Sequence, residues 1–160
     1  MKVKERIEFL VKSLDLLPHP EGGFYKETYR SDEQVPTKSG KRQMLTSIYF
    51  LLTSENVSRF HRIKSDEHWY FHEGSPLTVH TLDENGHHQL NLGPVSSISS
   101  PYQLVPANTI FGSSVDEKKS YALVSCVVSP GFDFQDFELF NTQDLLQQYP
   151  KHQSIIEKLT

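Results

Sequence analysis

The sequence predicts a mainly β chain: an antiparallel sheet rolled into a double-stranded β-helix, or jelly-roll barrel, with short N- and C-terminal helices. Three observations predict it. Between Met44 and Val128 the aromatic and β-branched residues fall in short runs, bounded by Gly, Pro, Asn or Asp at intervals of roughly 8 to 15 residues, as in a sandwich or barrel. Helical spacing is confined to the two ends of the chain. An open sheet of this size would present bare edges that pair with other chains, and closing it removes most of them. About eight strands also enclose room for one small ligand.

The elements follow in order. Ile7, Leu10, Val11 and Leu14 form one apolar face of an amphipathic helix, which Pro18 and Pro20 end. Phe24 to Arg30 reads as a strand opened by Gly22-Gly23, and Ser31 to Arg42 as a polar loop containing Pro36 and Gly40. Strands are expected at 44–52, 57–63, 67–72, 76–82, 87–92, 102–106, 120–128 and 133–139, with a hairpin turn at Asp83-Glu84-Asn85-Gly86. After Asn141 helical spacing returns, with Asn141 or Thr142 as N-cap, a break at Pro150 and a last turn using Ile155, Ile156 and Leu159. No repeat, low-complexity stretch or linker interrupts the chain, so residues 1–160 are read as one domain.

Composition excludes several classes. A net charge of −4 from scattered acids and bases, with no basic stripe, argues against nucleic acid as a partner. The longest apolar run, Ile48 to Leu52, has the length of a strand and not of a membrane span. The alternating charges of Met1 to Arg6 do not resemble a secretory signal, and a lone Cys126 cannot form an internal disulfide, so the cytoplasm is the expected compartment. Flanked by apolar residues, Cys126 reads as a packing residue and not as a nucleophile.

The densest cluster of ionisable and aromatic side chains runs from Phe60 to Gly74. His61, Glu67 and Gly74 are spaced as in the first cupin motif, in which a His, a second His two residues on, a Glu and a Gly lie on neighbouring strands. Ile63 stands at the place of the second His and Glu55 at that of the leading Gly. The second motif is best matched from Pro106 to Phe111, where Asn108 replaces its Gly and Phe111 its His. Around these motifs the segments Leu17 to Arg30, Ser47 to Leu52, Ser65-Asp66-Glu67 with Trp69, and Ser129 to Phe134 resemble the fifth cupin family, nearly along the whole chain. The Pro18-His19-Pro20-Glu21-Gly22-Gly23 run is its most specific part, while Tyr70 departs from the His that often follows the Trp in that family. The resemblance implies a homodimeric jelly roll related in fold to dTDP-sugar epimerases, in a family without an agreed reaction.

His61 and Glu67 are the candidate catalytic residues. Next to a cavity His61 suits ligand binding, general base work or metal ligation, against a hydrogen-bonded core histidine; Glu67 suits the same roles, against a salt bridge to Arg59 or Arg62. Alternation places Glu67, Trp69 and Phe71 on one face and His68, Tyr70 and His72 on the other, so an inward Glu67 brings two aromatic rings with it, as ligand platform or as core. In the first long strand alternation separates Lys26 and Arg30 from Tyr25, Glu27 and Tyr29. By analogy with the epimerases, Glu27 or Arg30 lines a site shared with a neighbouring subunit. Phe111 completes the expected ligand-binding set through its motif position.

With two motif histidines replaced, a catalytic metal is not expected; if a divalent metal binds, His61 and Glu67 hold it with a third ligand such as His72 or His80. Three readings therefore stand: a metal-independent barrel binding a sugar-like or aromatic metabolite, a sugar epimerase or isomerase using His61 as base, and a metal-dependent enzyme using His61 and Glu67.

Overall fold

A computed structural model describes residues 1–160. Thirteen strands follow the first helix, α1 (Val3–Ser13). They are β1 (Leu17–Pro18), β2 (Phe24–Arg30), β3 (Gln34–Thr37), β4 (Gly40–Gln43), β5 (Thr46–Thr53), β6 (Val57–Arg62) and β7 (Asp66–Gly74). There follow β8 (Leu77–Asp83), β9 (Gly86–Leu92), β10 (Tyr102–Val105), β11 (Ile110–Val115), β12 (Tyr121–Ser129) and β13 (Glu138–Leu139). Helices α2 (Thr142–Gln148) and α3 (Gln153–Lys158) close the chain, and no helix is long and apolar enough to cross a membrane.

Two antiparallel sheets face each other in a jelly roll. One has the order β1-β2-β5-β12-β7-β10 and the other β13-β6-β11-β8-β9, with β3-β4 as a separate hairpin. Alternation explains their filling. On β5, Phe50 and Leu52 point into the barrel, where they meet Trp69, Val79, Val124 and Phe111. Leu51 points the other way and is covered with Leu123 by Leu10 of α1. The run that reads as continuously apolar in sequence is thus a strand covered on both faces. On the opposite sheet Phe60, Leu82 and Ile110 turn outward and are capped by Leu145 of α2 and by Ile156 and Leu159 at α3.

Several expectations are corrected. The stretch Ser31 to Arg42, expected as a loop, contains most of the β3–β4 hairpin, whose tip is tied by the Thr37 hydroxyl bonded to the Gly40 carbonyl and to the Ser39 amide. Strand β11 was absent from the expected set because Gly112-Ser113-Ser114 carries no β signature, yet all of its residues are buried between β6 and β8. Gly112 is required there: a Cβ would stand 2.6 Å from the Ser58 carbonyl oxygen. The expected strand over 133–139 is instead a short 3-10 turn, Phe134–Asp136, capped by the Asp133 carboxylate accepting from the Gln135 amide, and only Glu138–Leu139 pairs. The hairpin turn at Asp83–Gly86 and the Asn141 cap stand where the sequence puts them.

Because Ile156 is fully buried under the second sheet, Ile156→Ala is expected to lower unfolding free energy by ~2–5 kcal/mol. Urea denaturation followed by circular dichroism checks this; a change near zero would mean the C-terminal helices are not part of the cooperative unit.

Candidate functional site

At one end of the barrel the apolar filling stops and leaves a cavity of about 310 Å³, at the lower end of the usual ~300–1,000 Å³ for small-ligand sites. Its floor is set by the turn between β1 and β2. There the His19 amide donates to the Gly23 carbonyl at 2.9 Å and the Glu21 carbonyl accepts from the Arg59 amide of β6 at 3.0 Å, so the turn is stitched to the opposite sheet. Gly22 has φ +113°, and a Cβ on it would lie 1.9 Å from the Val57 carbonyl oxygen. Only glycine lets the turn come this close.

That approach delivers Glu21 to His61. The Glu21 Oε2 lies 2.8 Å from His61 Nδ1, with both side chains buried. Nδ1 also stands 2.7 Å from the Arg59 carbonyl. The Nδ1 hydrogen is aligned on that carbonyl, and Oε2, which has almost no exposed surface, is paired with the imidazole by charge. His61 Nε2 is the ring nitrogen left for the cavity. Burial works against the charged imidazole, but the Glu21 carboxylate, Glu67 and the Arg59 carbonyl outweigh it and hold His61 above its ordinary pKa. Burial likewise opposes ionisation of Glu21, and the charge on His61 overrides it, keeping Glu21 below the usual carboxylate range.

Glu67, on β7, completes the cluster. Burial, reinforced by the charge on Glu21 and opposed by His61 and the Cys126 thiol, pushes it up to about 7. Neither Arg59 nor Arg62 reaches it: Arg59 bonds the Pro20 carbonyl and Arg62 pairs with Glu138. The Cys126 thiol is itself driven well up by burial and by Glu67, which agrees with a packing residue. His19 accepts the Glu21 amide through Nδ1 at 3.2 Å, and burial lowers its pKa, so it is neutral.

Glu27 and Arg30, expected on opposite faces of their strand, both line the cavity. Thr28 is a β-bulge: Glu27 pairs with Ile48 and Tyr29 with Ser47, so one extra residue resets the alternation and turns Arg30 inward. The guanidinium then grips Glu27 through two contacts of 2.9 and 2.8 Å. Across the mouth, Phe132, Phe134 and Phe137 pack edge to face, with centroids 4.9 to 6.2 Å apart.

Trp69, Phe71 and Phe111, expected among the ligand-binding residues, do not line the cavity. Trp69 is 1 % exposed and Phe111 is 1 % exposed in the barrel core, and Phe71 packs against that core from the side. Phe111 instead backs the site, its ring 4.2 Å from the His61 ring. His68, Tyr70 and His72 face outward, His68 stacking on Tyr102 and His72 bonded to Ser125. Sequence reasoning missed Glu21, His19 and the Phe132–Phe137 rim. The Pro-His-Pro-Glu-Gly-Gly run was the available signal, but nothing in it shows which strand it would meet.

A cupin metal centre does not fit these residues. Phe111 is the Cα partner of His61 across β11 and β6, and Ile63 lines the cavity, so apolar groups hold the places of two ligand histidines. His72 is outside the barrel, and His80 is turned to the outer face of the second sheet, bonded to His87 and Ser114. No three His, Cys, Asp or Glu side chains converge in a ligating arrangement.

The family model described as Cupin superfamily (DUF985) matches residues 8–140. The chain belongs to this family. A curated relative, Uncharacterized protein YML079W of Saccharomyces cerevisiae, is 27 % identical over 88 % of this chain and 78 % of its own length. Among solved structures, protein SO0799 from Shewanella oneidensis is 43 % identical, covering 96 % of both chains with a TM-score of 0.88. A hypothetical protein from Leishmania major is 40 % identical, covering 96 % of this chain and 97 % of its own with a TM-score of 0.87. A variant of oxalate decarboxylase from Bacillus subtilis shares the fold alone, at 16 % identity and a TM-score of 0.58 over 89 % of this chain and 37 % of its own.

The raised Glu67 has a sign that can be tested. Between its ordinary 4.5 and about 7 the folded chain holds a proton that the unfolded chain has released. Its contribution to stability is therefore lost as pH rises through that window. Relative to wild type, Glu67→Gln should gain stability across it, by on the order of 3 kcal/mol. Chemical denaturation of both proteins at a series of pH values checks this; parallel curves would contradict it.

Proposed function

We propose that this cupin is a binding barrel, without a resident catalytic metal, that takes up a small molecule with a sugar-like or aromatic body. One observation carries the reading. The Glu67 carboxyl is buried in the wall of an accessible cavity with no ion pair, beside the Glu21–His61 pair. Buried polar atoms are nearly always paired, and those left open at a cavity await a partner from outside the chain. The apolar side of the cavity, from Ile48 and Val128 to the three phenylalanines, suits the body of such a ligand.

Native mass spectrometry of protein purified without chelator or denaturant should show a small-molecule adduct, with metal content well below stoichiometric. Ile48→Phe, which narrows the cavity, should lose the adduct. Stoichiometric iron, manganese, nickel or zinc would refute the metal-free part of the reading.

A second reading is favoured by the fixed orientation of His61. With Nδ1 held by Arg59 and Glu21 and its charged form favoured, Nε2 is set to donate a proton or hydrogen bond, while Glu67, at about 7, is poised to accept one. In an epimerase or isomerase this makes Glu67 the stronger candidate base and His61 the acid, the reverse of the role first assigned to His61. Incubated with keto-sugars in deuterated water, the wild type should exchange the hydrogen next to the carbonyl, and Glu67→Gln and His61→Ala should each slow the exchange by roughly 100-fold or more. Equal rates in all three would exclude proton transfer by this pair.

A further inference from the structure

We propose that the ligand of this cavity is a small organic cation, an amine carried on an apolar body. The inference rests on the cavity being the binding site and specifies the charge of what enters it. Four carboxyl groups line the cavity, Glu21, Glu27, Glu67 and Asp133, against the guanidinium of Arg30 and the imidazoles of His19 and His61.

Each of those cations is already committed. Arg30 holds both oxygens of Glu27, at 2.9 and 2.8 Å. His61 lies 2.8 Å from Glu21, and His19 is neutral, with Nδ1 accepting the Glu21 amide. Behind Asp133 the nearest guanidinium, Arg42 at 3.9 Å, is itself gripped by both oxygens of Asp136 at 2.8 and 2.9 Å. An anion entering the cavity finds no unpaired positive charge. A cation finds Glu67, 8 % exposed at the cavity wall and in no ion pair, with Asp133 nearer the mouth.

The rim adds an independent observation. Phe132, Phe134 and Phe137 lie edge to face, and Phe134 is 57 % exposed, so part of its surface is not used by the core. Ring faces attract cations, and a set of aromatic rings beside carboxylates is a usual way of holding a substituted ammonium. The apolar wall and the acidic floor thus select for the two ends of one molecule.

The proposal couples binding to a proton. Glu67 is faced by His61 from β6, by Glu21 from the turn before β2 and by Cys126 from β12. A positive charge placed beside Glu67 favours its carboxylate form, so the proton leaves as the ligand enters. Affinity for a cation must then rise with pH, by up to about tenfold per unit below the midpoint of one proton.

Three probes of one shape separate the charges: benzylammonium, benzyl alcohol and benzoate. Each is titrated into the intact protein, followed by amide NMR, one pH unit below and one above the Glu67 midpoint of about 7. Benzylammonium should shift the amides of Ile48, Cys126 and Phe132 to Phe137 and bind roughly tenfold tighter at the higher pH. Benzyl alcohol should bind at least roughly tenfold more weakly and benzoate not measurably. Glu67→Gln, checked for an unchanged amide spectrum elsewhere, should weaken benzylammonium and remove its pH dependence. Benzyl alcohol or benzoate binding as tightly as benzylammonium, or a Glu67→Gln variant that keeps full affinity for the cation, overturns the charge assignment and leaves the cavity as a binding site. No shift at the lining with any probe counts against both.

Discussion

The burial of the Glu21 carboxylate against the His61 imidazole is the interaction around which the open end of the barrel is arranged. Taking either group out of water alone costs on the order of several kcal/mol, so neither position is tenable without the other. The pairing requires the turn before β2, which belongs to one sheet, to lie against β6 of the other. Gly22 makes room for that contact, and the Arg59 backbone fixes it from both sides, donating to the Glu21 carbonyl and accepting from His61. The same few residues therefore close the barrel, supply the buried charge and shape the cavity floor.

A consequence is that the charge of this histidine is balanced by a carboxylate supplied from the opposite sheet. Ile63 and Phe111 remove two imidazoles and put apolar bulk in their place, so the interior offers a low-dielectric setting for the residues that remain. In that setting Glu67 does not ionise fully at neutral pH.

Much of the fold was legible because β signatures are local. The apolar runs of β5 and β12, the alternation on β7, the turn at Asp83–Gly86 and the Asn141 cap depend on neighbours in sequence and were read from them. Strand β11 was not, because a central strand made of Gly and Ser owes its conformation to Ser58 and the sheet around it. The site divides in the same way. His61 and Glu67 share a motif and were found; Glu21 and His19 lie on a distant turn whose destination is a tertiary fact. Trp69 was placed on the correct side of its strand, but depth along the barrel axis, which decides between core and cavity wall, has no counterpart in periodicity.

The bulge at Thr28 gives the mouth of the cavity an adjustable electrostatic setting. One surplus residue in an edge-side strand determines whether a guanidinium faces inward or out. A relative lacking it would keep every hydrogen-bonded strand of the barrel, yet swing its arginine to the solvent and leave Glu27 alone at the entrance. A length change of a single residue would thus alter the charge lining the entrance, with no substitution at the floor.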